Sequence, residues 1–276
     1  MTIYFSTNIP EMRAISAFNT ATAQIAKSSQ RLSTGLRINS GADDAVGFKI
    51  RENLRADIKI NEAQASGLTT LINKTEIADS AVQQALRVLE GSIDDDSDGM
   101  AGFLTKLIGT GADPTAEEIE QFDDMRNSLA TALGSARYQG ATIWDGATST
   151  AYIGSNIAGA AQKVDVTFSA APATSPAVLS DAASLATALT AVKTAITALT
   201  TQSTTLGGKL STLQTAKNQF DAVNTTLRSA EGAISNVDTA AESSRMARSE
   251  LLAQNSMNIV QYSRQYAAFS VAGLVG

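Results

Sequence analysis

The sequence predicts a mainly α protein: an elongated antiparallel coiled coil or helical bundle formed by its N- and C-terminal regions, with a small β-hairpin and loop region in the middle. Three observations carry that expectation. Apolar residues recur at alternating spacings of three and four toward both ends, the mark of helices that pair with helices. Hydrophobic residues make up 43% of the chain but aromatic residues only 5%, so the apolar content is mostly Ala, Leu, Ile and Val, which suit helix-on-helix packing. Between the two patterned ends lies a weakly patterned stretch rich in Ala, Thr and Ser.

Taken in order, Ile15, Phe18, Thr22, Ile25, Ser29, Leu32 and Leu36 form the seam of a first helix, which Gly35 can end in a left-handed turn. Asn39, Ser40 and Gly41 make a turn, and Ser40 with Asp43 has the spacing of a capping pair, so a second helix should begin near Ala42. That helix is expected to run to about Glu90, with Leu68, Leu71, Thr75, Ala78, Val82, Ala85 and Leu89 as its stripe and Gly91 closing it. After an acidic stretch and the apolar patch Phe103, Leu104, Leu107 and Ile108, Thr115 and Glu118 make a capping box for another helix with Ile119, Phe122, Met125, Leu129, Leu133 and Ala136 on one face.

Gln139 and Gly140, then Asp145 and Gly146, bracket the strand-like Ala141 to Trp144. The alternating Val164, Val166 and Phe168 within the Pro-containing stretch from Ala147 to Ser180 predict a small hairpin on a loop. The last third carries the clearest pattern, Leu213, Ala216, Phe220, Val223, Leu227, Ala230, Ile234, Val237, Ala241 and Ser244, which as one continuous helix would be about 47 Å long. Beyond Arg248, Leu251, Leu252, Met257, Ile259, Val260, Tyr262, Tyr266, Phe269, Val271, Leu274 and Val275 occupy more than one helical face, more than a single partner helix can cover. Ile3, Tyr4, Phe5, Ile9 and Met12 likewise crowd bulky apolar groups at the start, and such surface marks an interaction site.

Composition excludes much chemistry. With no His and no Cys, imidazole bases, thiol nucleophiles, disulfides and most zinc or haem sites are ruled out, and no enzyme activity or cofactor is expected. A net charge of −6 gives no footprint for nucleic acid. No run of about 18 apolar residues is seen that would span a bilayer, so membrane insertion is not expected, and the first residues lack the pattern of a cleaved secretory signal. Asp94, Asp96, Asp98 and Gly99 open like a calcium loop, but Thr105 stands where a bidentate Glu belongs, which leaves a solvated acidic turn as the better reading and no metal site expected. Gly207, Gly208 and Lys209 lack the spacing of a phosphate loop and read as a helix-start turn. Arg31, Arg37 and Arg51 flank the first turn, and bridging between subunits or an ordinary exposed face suits them equally.

The segment Ser29 to Gly47, SQRLSTGLRINSGADDAVG, resembles the N-terminal signature of bacterial flagellins. Leu206 to Leu213 (LGGKLSTL), Phe220 to Asp238 (FDAVNTTLRSAEGAISNVD) and Ala240 to Gln254 (AAESSRMARSELLAQ) resemble the C-terminal region of the same family, and Gln139 to Gly146 (QGATIWDG) looks like its turn before the first hairpin. The resemblance implies that residues 1–39 and 241–276 form an inner coiled-coil core layer, 40–146 and 191–240 a helical outer-core domain, and 147–190 a small variable β and loop region. It implies a secreted, extracellular structural subunit that polymerises into the flagellar filament for motility, exported without a cleaved signal peptide.

A hook-filament junction protein is the nearest alternative, and a secreted helical-bundle binding module the second. Implied partners are copies of itself, related flagellins, hook-associated junction proteins, the filament cap and an export chaperone. The residues expected to carry self-assembly are Ile3, Tyr4, Phe5, Ile9, Met12, Ile15, Phe18, Ile25, Leu32, Leu251, Leu252, Ile259, Val260, Tyr262, Tyr266, Phe269 and Leu274.

Overall fold

A computed structural model describes residues 9–92, 97–155, 161–168 and 178–275. Six helices and three separate two-stranded antiparallel hairpins are found among them. The chain divides into two units, Met1–Lys59 with Thr225–Gly276, and Ile60–Asn224.

The first unit is built on α1 (Ile9–Thr34) and α6 (Thr239–Val275). They run antiparallel: Glu11 meets Arg264 at 2.9 Å, Gln24 meets Ser249 at 3.2 Å, and Ser28 meets Glu242 at 2.6 Å. Helix α1 buries Ala14, Ala21 and Ser28, and α6 buries Glu242, Ser249 and Ser256 together with Ala253 and Val260. Each row repeats every seventh residue, as knobs do in a coiled coil. Most of these side chains are small, and the two helices repeatedly bring Cα atoms within 8 Å of one another.

The expected seam of α1 needs correction by one position. Phe18, Ile25 and Leu32 are half-buried beside the contact, but Ile15, Thr22 and Ser29 face outward, and Ala14, Ala21 and Ser28 take their place. Alternating three-four spacing fits either neighbouring stripe of a helix. Close backbone approach selects the one with small side chains.

Gly35, at φ 71°, ends α1 as expected. The chain then pairs across to the break after α5 (Ala182–Ser235): Leu36 and Asn236 form an isolated antiparallel bridge, with Arg37 N donating to Ser235 O at 2.7 Å and Val237 N to Gly35 O at 3.0 Å. The apolar pattern from Leu213 to Ser244 is therefore not one helix. Asp238 accepts from the amides of Ala240 and Ala241 at 3.0 Å and caps a new one, α6. On the other strand α2 (Ala45–Glu90) starts later than Ala42, because Asp44 is the residue that accepts from Val46 N and Gly47 N. Asp43 instead closes the preceding turn by accepting from Asn39 N and Ser40 N, and it pairs with Lys27 at 2.9 Å. Chiefly through the Lys27 bond, its carboxyl is lowered to about 2.

In the second unit the expected stripe of α2 holds throughout, since Leu68, Leu71, Thr75, Ala78, Val82, Ala85 and Leu89 are all buried. Gly91 ends the helix at φ 89° and opens the hairpin β1 (Gly91–Ser92) with β2 (Ser97–Asp98). Helix α3 (Met100–Thr110) buries Met100, Leu104 and Leu107. Helix α4 (Ala116–Gly134) starts with the expected reciprocal Thr115 and Glu118 capping box and buries Phe122, Leu129, Ala132 and Leu133. Gln139 and Gly140, both at positive φ, turn β3 (Arg137–Tyr138) into β4 (Ala141–Thr142). Trp144 is a local anchor, its Nε1 donating to Leu133 O at 2.9 Å.

The hairpin of β5 (Thr148–Ser155) and β6 (Ala161–Thr167) buries Ala151, Val164 and Val166 toward the core, with Phe168 beside them. Helix α5 begins at Ala182, so the helical pattern reaches into the segment expected to be β and loop up to residue 190. It buries Leu185, Val192, Leu199, Leu206, Leu213 and Phe220, one every seventh residue. Gly207 and Gly208 lie inside this helix, not at a helix start. One 18-residue window of α5 reaches a mean hydropathy of 1.4, which corrects the expectation that no segment is apolar enough to span a bilayer. Leu185, Val192, Leu199, Leu206 and Leu213 belong to the packed core of this unit.

Candidate functional site

The polar centre of the α1 and α6 pair is Glu242, of which only 3% is exposed. The first turn of α6 places it against α1, where its Oε1 accepts from Ser28 Oγ at 2.6 Å and lies 3.6 Å from Arg31. Arg245, one turn along α6, donates to its other oxygen at 3.2 Å. The Ser28 bond, aided by the charges of Arg31 and Arg245, outweighs the cost of burial and holds this carboxyl below its ordinary value of 4.5.

The cations around the first turn are held within the subunit. Arg37 donates to Ile234 O at 2.6 Å, and Arg51, only 4% exposed, donates to Ile38 O and pairs with Glu52 at 2.8 Å while lying over the Phe48 ring. Arg37 keeps the exposed face expected of it, whereas Arg51 is buried against its own chain. Gly47 lets Ile38 and Asp44 approach closely, since a Cβ there would sit 2.6 Å from the end of the Ile38 side chain and 2.5 Å from an Asp44 carboxylate oxygen.

Outside this polar centre, the pair exposes bulky apolar groups. Ile9, Met12 and Ile15 are exposed on α1, and Leu251, Leu252, Met257, Ile259, Tyr262 and Tyr266 on α6, the last at 76%. Met12 and Ile15 line an open groove of about 620 Å³, and Leu252 borders a second of about 410 Å³. Of the residues expected to carry self-assembly, Phe18, Ile25 and Leu32 are half-buried beside the seam, and Val260 is inside it, because it continues the row through Ala253. Phe269 and Leu274 belong to the last turns of α6, and Ile3, Tyr4 and Phe5 lie outside the described residues. Sequence periodicity missed Glu242; the signal available was a lone acid at the buried heptad position of a helix start.

No group of three or more His, Cys, Asp or Glu able to hold a metal occurs among the described residues. Asp94 and Asp96 lie outside them, and Asp98 ends β2.

Residues 5–95 match the bacterial flagellin N-terminal helical region and residues 189–265 the bacterial flagellin C-terminal helical region, together more than half of the chain. The chain is 26% identical to a flagellin of Brucella melitensis over 87% of its own length and 88% of that protein. It is 28% identical to flagellin A of Helicobacter felis over 54% of its length and 28% of that protein, and 32% identical to flagellin A of Vibrio anguillarum over 33% and 24%. The chain thus spans nearly all of the first relative and about a quarter of the other two.

Proposed function

Because the chain belongs to the bacterial flagellin family, we propose that it is a structural subunit of the flagellar filament that polymerises through the helices of its two termini. The observation that carries this reading is the exposed apolar set on α1 and α6, Ile9, Met12 and Ile15 with Leu251, Leu252, Ile259, Tyr262 and Tyr266. One copy leaves these groups in water, and a neighbouring copy removes them from it, so burial of apolar area drives growth. Head-to-tail contacts that do not close into a ring extend as a helical filament.

The role is mechanical and outside the cell. The chain catalyses no reaction, consistent with a sequence that lacks His and Cys. Related flagellins share the filament, and hook-associated junction proteins, the cap and an export chaperone contact the same terminal helices. Residues 1–39 with 241–276 form the inner layer and 40–146 with 191–240 the layer around it.

Seeded polymerisation of the purified full-length chain, followed by electron microscopy, tests the proposal. Long filaments are expected. Protein that stays monomeric beside competent seeds overturns the reading, and protein that adds only a short cap of subunits assigns it to the junction instead.

A further inference from the structure

Next to Glu242, α1 and α6 leave a cleft of about 360 Å³ whose lining includes Lys27, Arg31, Arg245 and Arg248. Glu242 is the one acid in that lining, so four cations share the cleft with one carboxylate in a chain whose net charge is −6. The carboxylate is already engaged by Ser28 and Arg245, and Lys27 is partly neutralised by Asp43. Two donors remain unspent. Arg31 keeps its Nε buried with no hydrogen-bond partner, and Arg248 makes no hydrogen bond or ion pair among the described residues. The Arg31 Nε is too occluded for an incoming group to reach, and the exposed Arg248 is the donor in this lining left without a partner.

We propose that this cleft is a binding site for a multiply charged oxyanion of the phosphate class, held between Arg31 of α1 and Arg245 and Arg248 of α6. Guanidinium groups match the oxygen spacing of such anions with paired, charge-assisted hydrogen bonds. The anion cross-links the two helices through ionic contacts where the seam itself contributes only small side chains, so it stabilises the paired state in proportion to its occupancy. The site requires only that α1 and α6 pair within one copy and is independent of filament growth.

The test titrates inorganic phosphate into the full-length monomer at ionic strength held constant with chloride, reading binding by calorimetry and pairing by amide hydrogen exchange. Saturable binding of one phosphate per chain with slowed exchange in α1 and α6 is expected. Arg248→Gln should weaken binding about tenfold, the effect of losing a charged hydrogen bond, without altering exchange in the unliganded chain. Phosphate acting no differently from chloride, or binding unchanged in Arg248→Gln, overturns the site and leaves the filament reading untouched.

Discussion

Replacing Ala21 by Leu inverts the usual expectation that a larger apolar residue in a helical seam stabilises it. Ala21 is 3% exposed and belongs to the row Ala14, Ala21 and Ser28, and the α6 rows of this seam include Ser249, Ala253 and Ser256. A seam with room to spare would bury the new side chain and strengthen by about 1.5–3 kcal/mol. A filled seam must open instead, and overpacking costs about 1–3 kcal/mol; because Ala and Ser have almost no rotamers with which to yield, the upper end, about 3 kcal/mol, applies. The two cases differ in sign. Hydrogen exchange of the full-length chain, resolved by peptide, is the suitable assay, since a chain of two units has no single unfolding free energy. The expected result is faster exchange confined to α1 and α6. Slower exchange in those helices would refute the close-packed seam. Leu71→Ala serves as the contrasting control: it removes a side chain that is 3% exposed in the second unit, should cost about 2–5 kcal/mol there, and should leave α1 and α6 unaffected.

Glu242 makes the seam sensitive to acid. Its folded pKa is lowered from 4.5, so the stability it contributes is complete above that value and is lost as pH falls through the folded pKa; the protection of α1 and α6 relative to the intrinsic exchange rate at each pH, followed from pH 6 down to 3, should fall in the wild type below about 4.5, and Glu242→Gln, weaker throughout, should lose that acid-dependent part. Gly99→Ala should disrupt the first hairpin, because a Cβ there runs into the backbone of Gly91 and Glu90. Loss of the β1 and β2 amide protection, with α4 unchanged, is the expected result, and a variant exchanging like wild type would contradict that contact.

Legibility in the sequence followed side-chain size. Where large aliphatic residues mark the buried face, as in Leu68, Leu71, Val82 and Leu89 of α2 or Phe122, Leu129 and Leu133 of α4, periodicity alone finds the core, and capping chemistry at Thr115 and Glu118 finds the helix start. Where the buried face is Ala and Ser, a pattern search is drawn to the neighbouring bulky residues, which is why Ile15 stands in for Ala14. The break at Asn236 to Asp238 interrupts neither the three-four rhythm nor the apolar content, and only the Asp238 cap reveals it. Upstream, the Thr-rich start of α5 hides a heptad of Leu185, Val192 and Leu199, because exposed threonines return their hydroxyls to their own helix, as Thr194 does to Thr190 O at 2.9 Å. Of the exposed apolar surface, the members on α6 were legible as an excess of apolar residues over what one stripe can hold. The polar cluster at Glu242 was not, since a buried acid is identified by its partners, and Ser28 lies 214 positions away.

A row of Ala and Ser offers nearly the same profile at every turn, so α1 could slide along α6 by seven residues and lose little van der Waals contact. Glu242 breaks that degeneracy. A slip of one heptad would set its carboxylate against Ala21, which has no hydroxyl to donate, and would strand a charge of which only 3% is now exposed. The buried carboxylate, met by Ser28 and Arg31, thus joins the Glu11 and Arg264 pair as an index mark that tells two nearly uniform helix faces where to stop.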